Sequence, residues 1–241
     1  MILNCQILRG FYLLLLILAP YQSAQSEALG QKWPNASATF LTGGLPSGGP
    51  AGSLPGNTET WRGAASDAVN RWNNAQSAFT LITSIETGSG ICQASGDNNL
   101  IFSSTACGGD AFGVNTLAIT AGWSSRSTIV KTDIIFNSKN KIWGIYDGPI
   151  LSSPEDFRRV AMHELGHAMG LAHTKTSSAL MFATASNTFL PTPDDVESLE
   201  AIYAEVEESK DGGGGGSGTY LLLSLLGIGG LRLISAHKKA D

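Results

Sequence analysis

The stretch HELGHAMGLAH, residues 163–173, holds three of the four histidines of this 241-residue chain and constrains its fold more than any other segment. On a helix, His163 and His167 are four residues apart and share a face, so their neutral imidazoles can bind one zinc ion. Gly170 can adopt the left-handed conformation that ends a helix, after which His173 can return as a third ligand. The sequence therefore predicts a helix, a turn and a returning loop that meet at one metal ion.

The glutamate inside this motif indicates catalysis as well as metal binding. Three protein ligands leave one corner of the zinc tetrahedron for water, an arrangement typical of catalytic sites. Glu164 adjoins His163 and is not needed as a ligand, so its carboxylate can face that water. It can take a proton during attack on a peptide carbonyl and pass a proton to the departing amine. The alternative, three core histidines satisfied by hydrogen bonds, is disfavoured by the concentration of histidine in one motif.

Periodicity divides the middle of the chain into helices and strands. Strands rich in Val, Ile, Thr and Phe are predicted at residues 79–85, 99–104, 116–120 and 127–137. Helices are predicted at residues 60–75, 153–169 and 192–208, with Ser153 and Thr192 as N-caps of the last two and a proline after each cap. This order indicates an α+β fold, a twisted mixed sheet with three main helices, of which the second carries the zinc motif.

The two ends of the chain differ from its middle in composition. Residues 1–26 place Arg9 before an apolar run and small residues after it, as a secretory signal peptide does. A membrane-anchoring helix is the alternative, although the run is short for a span. Residues 208–218 form a glycine-rich linker, and residues 219–241 join an apolar stretch to a basic end. We expect one catalytic domain, residues 27–207, between these segments.

Charge and cysteine content narrow the class of protein further. A net charge of −5 gives no electrostatic footprint for nucleic acid, so no nucleic-acid partner is expected. Cys92 and Cys107 are the cysteines that follow the leader, and in an oxidising compartment we expect them to form a disulfide. Free buried thiols or a regulatory thiolate remain as alternatives.

Beyond the zinc motif, the chain resembles the matrixin group of metzincin metallopeptidases. The segments that carry the resemblance are KWPN at 32–35, AASDAVNRWNNAQSAFTL, DIIFNSKNKIW, SSALMF and PDDVESLEAIYA. The resemblance implies a zinc endopeptidase in which Met181 is a packing residue of the methionine turn. It also implies that an edge strand holds the extended peptide substrate; this strand would comprise Thr116, Leu117, Ala118, Ile119 and Thr120.

Four positions bear on metal binding and specificity, which the resemblance leaves open. Ile135 stands where a matrixin is expected to carry a histidine of a second, structural zinc site, so one catalytic zinc and no structural zinc are predicted. Asp97 and Asp110 with nearby carbonyls could form a calcium site, or could be ordinary solvated loop residues. Arg159 matches a position on the floor of the main specificity pocket; a solvent-facing arginine is the alternative.

The C-terminal segment resembles the glycine-glycine type of sorting signal of Gram-negative bacteria. The resemblance implies a membrane-embedded, rhomboid-like sorting protease as a partner, and delivery to the cell surface or release. A eukaryotic lipid-anchor signal has a similar order, but such tails usually end apolar, whereas this one ends in His237, Lys238 and Lys239. Whether the segment is removed or stays as an anchor is left open.

The sequence thus predicts a secreted or cell-surface, monomeric zinc endopeptidase that acts on proteins or peptides. One alternative is a catalytically silent surface or adhesion protein on the same scaffold, although the intact Glu164 speaks against it. The other alternative is a zinc hydrolase with the same ligands and a non-peptide substrate.

Overall fold

The computed structural model describes residues 29–50 and 59–204 of the chain. Its helices are α1 (Trp61–Ala75), α2 (Phe157–Ala168) and α3 (Pro193–Tyr203). Its strands are β1 (Ser37–Leu41), β2 (Thr80–Ser84), β3 (Asn98–Ser103), β4 (Ala118–Ser125), β5 (Thr128–Asn137), β6 (Trp143–Gly144) and β7 (Glu155–Asp156). The signal peptide, linker and sorting segment predicted at the two ends lie outside the described residues. Within the described part, no helix is both long and apolar enough to cross a membrane.

The main sheet is mixed and has five strands in the order β2-β1-β3-β5-β4. β1 pairs in parallel with β2 and β3, β3 pairs in parallel with β5, and β4 alone runs antiparallel, along the outer side of β5. β6 and β7 form a separate two-stranded pair. The predicted α+β fold with a mixed sheet and three main helices is confirmed.

Aromatic side chains join the sheet to the helices that support the zinc motif. Trp61, at the start of α1, packs edge-on against Phe157 at the start of α2, with ring centroids 5.3 Å apart. Trp72 is fully buried, and its indole N–H donates to the carbonyl of Met162 at 2.8 Å. A second indole, that of Trp33, donates to the carbonyl of Ala168 at 2.8 Å. Both ends of α2 are therefore fixed by buried aromatic residues from other segments.

Two strand predictions need correction. The segment Ser37–Leu41 forms β1, which was not predicted. This strand has only five residues, and its partners β2 and β3 are distant in sequence. The predicted strand 116–120 begins at Ala118 and continues to Ser125, so Thr116 and Leu117 precede it. The extension through Gly122 is stabilised by pairing with the ten-residue β5, which overrides the weak strand propensity of glycine and serine.

The start of α2 was predicted wrongly at Ser153 and Pro154. The helix begins at Phe157, and Asp156 is its N-cap, with a carboxylate that accepts from the backbone N–H of Arg158. The chain is still extended at this point because Glu155 pairs with Trp143 in the β6–β7 pair. Capping of α3 by Thr192 with Pro193 as first residue is confirmed, although that helix ends at Tyr203 instead of 208.

The predicted disulfide between Cys92 and Cys107 joins the loop between β2 and β3 to the segment that follows β3. Beneath it, the carboxylate of Asp133 accepts from the backbone N–H groups of Cys92 and Asn99 at 2.8 and 3.1 Å. The ammonium of Lys131, 1% exposed, donates to the same carboxylate at 3.0 Å. A buried ion pair therefore anchors the disulfide loop to β5.

Candidate metal centre

Three imidazoles from α2 and the chain that follows it converge on one point. Nε2 of His173 lies 3.2 Å from Nε2 of His163 and 3.1 Å from Nε2 of His167. Ligand nitrogens about 2.0–2.1 Å from a tetrahedral zinc ion are roughly 3.3 Å from one another. Among the described residues, these three histidines are the group of side chains that could share a metal ion. Their spacing fits three corners of a zinc tetrahedron.

Backbone carbonyls fix the tautomer of two of these rings. Nδ1 of His163 lies 2.8 Å from the carbonyl oxygen of Leu180, and Nδ1 of His167 lies 2.8 Å from that of Leu171. Because a carbonyl only accepts, each Nδ1 carries the proton and each Nε2 presents a lone pair. The lone pairs of these two Nε2 atoms cannot satisfy one another by hydrogen bonding, and a metal ion is a natural partner for both.

The surroundings of His167 and His173 favour the neutral form that a metal ligand needs. Burial, followed by the charge of His163 and then of His173, lowers the pKa of His167 well below its usual range. Burial, followed by the charge of His163, lowers the pKa of His173 to about 4. Each shift arises because a second or third proton in the cluster would be poorly solvated and would repel the first.

The turn that returns His173 to the helix depends on Gly170. Its φ of +105° is in the region that favours glycine, and a Cβ there would lie 2.8 Å from the carbonyl oxygen of Gln31. The backbone N–H of Gly170 donates to the carbonyl oxygen of His167 at 2.9 Å, and that of Leu171 donates to the carbonyl oxygen of Gly166 at 3.0 Å. These two hydrogen bonds form a Schellman motif, which ends the helix and reverses the chain as the sequence predicted.

Met181 packs against the helix from the side of Gly166. It is fully buried, and a Cβ on Gly166 would lie 2.3 Å from its sulfur, so a larger residue at 166 would force the Met181 side chain to move. A packing role was predicted for Met181, and its contact with Gly166 is of that kind.

The sequence interpretation missed the importance of Asp195. Its buried carboxylate accepts from the backbone N–H groups of Leu180 and Met181, both at 2.9 Å, and from that of Thr192 at 2.8 Å. Leu180 is the residue whose carbonyl orients His163. Asp195 therefore supports a metal ligand through the backbone; an aspartate three residues after a threonine N-cap was the available signal.

Glu164 lies beside the histidines on α2 and is 6% exposed. Its Oε2 accepts a hydrogen bond of 2.7 Å from the hydroxyl of Thr120 on β4. Burial raises the pKa of Glu164, and the charge of His163 and the hydrogen bond from Thr120 act in the opposite direction. A buried carboxylate with a raised pKa is a stronger proton acceptor than an exposed one.

The remaining predicted residues lie outside the histidine group. β4, with Ala118, Ile119 and Thr120, is an outer strand of the sheet and contributes Thr120 to the site. Arg159 is 3% exposed, so the alternative of a solvent-facing arginine is wrong. Asp97 accepts from the backbone N–H and the hydroxyl of Ser89, both at 3.0 Å.

Comparison with known proteins identifies the family. A family model described as matrixin matches residues 57–204, more than half of the chain. The macrophage metalloelastase of Oryctolagus cuniculus is 42% identical over 53 residues, which is 20% of this chain and 11% of that protein. Matrix metalloproteinase-19 of Mus musculus is 38% identical over 86 residues, which is 34% of this chain and 15% of that protein. The chain thus spans a small part of the length of these relatives. With a three-histidine group that fits zinc, the chain belongs to the matrixin family of zinc metallopeptidases.

Proposed function

We propose that this chain is a secreted zinc endopeptidase that hydrolyses internal peptide bonds of proteins. The observation that carries the proposal is the meeting of three histidine Nε2 atoms next to the helix that also carries Glu164. Nε2 of His173 lies 3.2 Å from that of His163 and 3.1 Å from that of His167. The names of the relatives, a metalloelastase and a matrix metalloproteinase, support it.

In the proposed mechanism, His163, His167 and His173 hold the zinc ion. Zinc bound there would supply Lewis-acid chemistry, acidifying a coordinated water and polarising the scissile carbonyl. The Glu164 carboxylate takes the proton of the attacking water and delivers a proton to the departing amine nitrogen. Its position on the helical turn of His163 keeps it beside the reacting atoms without making it a ligand.

The substrate would bind as an additional strand along the outer side of β4. Among the described strands, β4 pairs only with β5, which leaves the N–H and C=O groups of its other side for an extended peptide. Antiparallel or parallel pairing there would carry the scissile bond past Thr120 and towards Glu164, since the Thr120 hydroxyl reaches that side chain.

Digestion of casein or gelatin by the purified protein, with and without a zinc chelator, tests this function. Glu164→Gln should retain zinc and lower turnover by at least about a hundredfold, because the amide cannot accept a proton. Glu197→Gln, at an exposed glutamate of α3, is the matched control and should behave as the parent.

The outcomes separate this function from its two rivals. A parent that binds zinc and cleaves no protein would favour the silent scaffold, unless small ester or amide substrates are hydrolysed, which would favour the non-peptide hydrolase. Full activity of Glu164→Gln would refute the general-base role.

We further propose that Arg159 shortens and polarises the main specificity pocket. Its guanidinium donates to the carbonyl oxygens of Gly148, at 2.6 Å, and of Ser186. It lies 5.8 Å from the ring centroid of Phe189. The buried arginine thus ties together two segments that flank α2. Arg159→Leu should shift the cleavage profile of a peptide library towards longer apolar side chains, with Arg159→Lys as the charge-preserving control; an identical profile for Leu and parent would reject the proposal.

Export is a separate proposal, through a signal peptide at residues 1–26 and a sorting segment at residues 219–241. The Cys92–Cys107 disulfide supports an oxidising destination, since such bonds persist outside the reducing cytosol. The intact mass of the protein released by its cells tests removal of both ends. A mass that includes either segment would reject removal of that segment.

A further inference from the structure

A side chain outside the zinc motif contacts the proposed general base. Thr120, in β4, is half-buried, and its hydroxyl oxygen lies 2.7 Å from Oε2 of Glu164. The same oxygen lies 3.1 Å from the backbone carbonyl of Glu164. Through this one hydroxyl, β4 contacts both the backbone and the side chain of Glu164 on α2.

The direction of this hydrogen bond follows from the groups involved. A threonine hydroxyl has one hydrogen, and both neighbours are acceptors when Glu164 is ionised. The carboxylate is the closer acceptor and the charged one, so it receives the stronger bond. A bond of this kind fixes the rotation of the carboxyl group, occupies Oε2 and leaves Oε1 for the exchange of a proton.

We propose that Thr120 is a positioning residue that holds the Glu164 carboxylate in the orientation required for proton transfer. This inference rests on the proposed role of Glu164 as general base. Because Thr120 belongs to the strand along which the substrate would pair, its hydroxyl also sets the distance between the substrate strand and the base. A substrate aligned on β4 is then aligned with the proton acceptor as well.

The chain offers a matched control on the neighbouring strand. Thr120 is opposite Ile134, and Gly122 is opposite Thr132, so Thr120 and Thr132 lie on the same face of the sheet. The hydroxyl of Thr132 is buried and makes no hydrogen bond. Replacing either threonine with valine exchanges a hydroxyl for a methyl group on the same face of the sheet, but only the Thr120 hydroxyl is bonded to Glu164.

The experiment compares Thr120→Val, Thr120→Ser and Thr132→Val in the full chain. For each variant, kcat and KM on a fluorogenic peptide, zinc per chain and the melting temperature are measured. Thr120→Val should lower kcat about ten- to a hundredfold, the usual cost of losing a group that orients a reacting side chain near a metal. Its KM and zinc content should stay at the parent values, and loss of the buried hydrogen bond should lower its melting temperature by about 2–4 °C. Thr120→Ser should restore most of kcat. Thr132→Val should match the parent in kcat, KM and zinc content.

A double variant separates positioning from general disruption. In the Glu164→Gln background, Thr120→Val should cause little further loss, because the group that it positions has already been replaced. An equal additional loss there would overturn the inference, as would zinc loss that accounts for the fall in kcat, or a Thr120→Val enzyme with the parent kcat.

Failure of this inference differs from failure of the proposed function. If the parent cleaves peptides, Glu164→Gln does not, and Thr120→Val equals the parent, only the role of Thr120 is refuted. An inactive parent, or a fully active Glu164→Gln variant, refutes the function and the positioning role together.

Discussion

The histidine cluster and the cluster around Lys131 both gather polar atoms around one point, but they differ in where the cation at that point comes from. In the first, the Nε2 atoms of His163 and His167 lie 3.2 and 3.1 Å from that of His173, around a point where a zinc ion would be bound. In the second, the carbonyl oxygens of Gly90 and Gln93 and the carboxylate of Asp133 surround an ammonium supplied by the chain.

The difference decides which cluster can perform chemistry. The three hydrogens of the Lys131 ammonium are matched by three oxygen acceptors, so no position is left for a substrate. Three imidazoles fill only three of the four positions of a tetrahedral zinc ion, so one position stays open. An internal ammonium organises a loop permanently, whereas an exchangeable metal organises a loop and also supplies a reactive position.

Of the substitutions that test this difference, removal of one histidine ligand should have the largest effect. In His167→Ala, the Nε2 lone pair disappears while the tethering carbonyl of Leu171 remains. We expect zinc per chain to fall towards zero and proteolysis to fall by well over a hundredfold, since even losing a group behind a ligand costs about ten- to a hundredfold. Elemental analysis and peptide hydrolysis measure both. Tight zinc binding by this variant would show that the cluster is not the metal site.

Lys131→Met should damage stability instead of metal binding. Without the ammonium, the fully buried Asp133 carboxylate keeps only neutral donors, and breaking such a buried ion pair costs about 3–5 kcal/mol. Urea unfolding measures the loss, and Lys175→Met, at an exposed lysine, is the control. The folded variant should retain zinc and kcat. Loss of zinc in the folded variant would show that the two clusters are not independent.

Tyr203→Phe should have the smallest effect and tests how far the turn before His173 depends on protein contacts. The Tyr203 hydroxyl donates to the carbonyl of Met169 at 2.8 Å and accepts from the backbone N–H of Trp33 at 3.2 Å. Losing these bonds should lower the free energy of unfolding of zinc-free protein by about 1 kcal/mol.

The pH dependence of this variant sharpens the test. Burial raises the pKa of Tyr203 from 10.0 to about 12. The unfolded phenol therefore loses its proton first, and the parent loses stability as the pH rises from about 10 to about 12. The phenylalanine variant should lack this part of the alkaline loss. Parallel stability curves for the two proteins over that range would contradict the assigned contacts.

The zinc motif was predictable because its geometry is local. The helical spacing of His163 and His167 and the turn at Gly170 involve neighbours within the same eleven residues, so the pattern alone defines them. The long strand β5 and the proline start of α3 were equally evident, because β-branched residues and capping signals act over a few residues.

What escaped prediction depends on partners distant in sequence. The start of α2 moved to Phe157 because Glu155 pairs with Trp143, and no local signal at Ser153 reports that pairing. The hydrogen bond between Thr120 and Glu164 spans 44 positions, and its formation depends on how β4 lies over α2. Sequence patterns identify side chains with suitable chemistry, but tertiary packing determines which of them meet.

The hydrogen bonds of the Asp195 carboxylate determine when the metal site can be completed during synthesis. Asp195 comes 22 positions after His173 in the chain, yet it fastens the backbone of Leu180, which holds the ring of His163. A nascent polypeptide that has already exposed all three imidazoles still lacks this clamp until α3 emerges. The metal site is thereby completed only after a segment well beyond its last histidine has been made, and a zinc ion bound earlier would lack the support that orients His163.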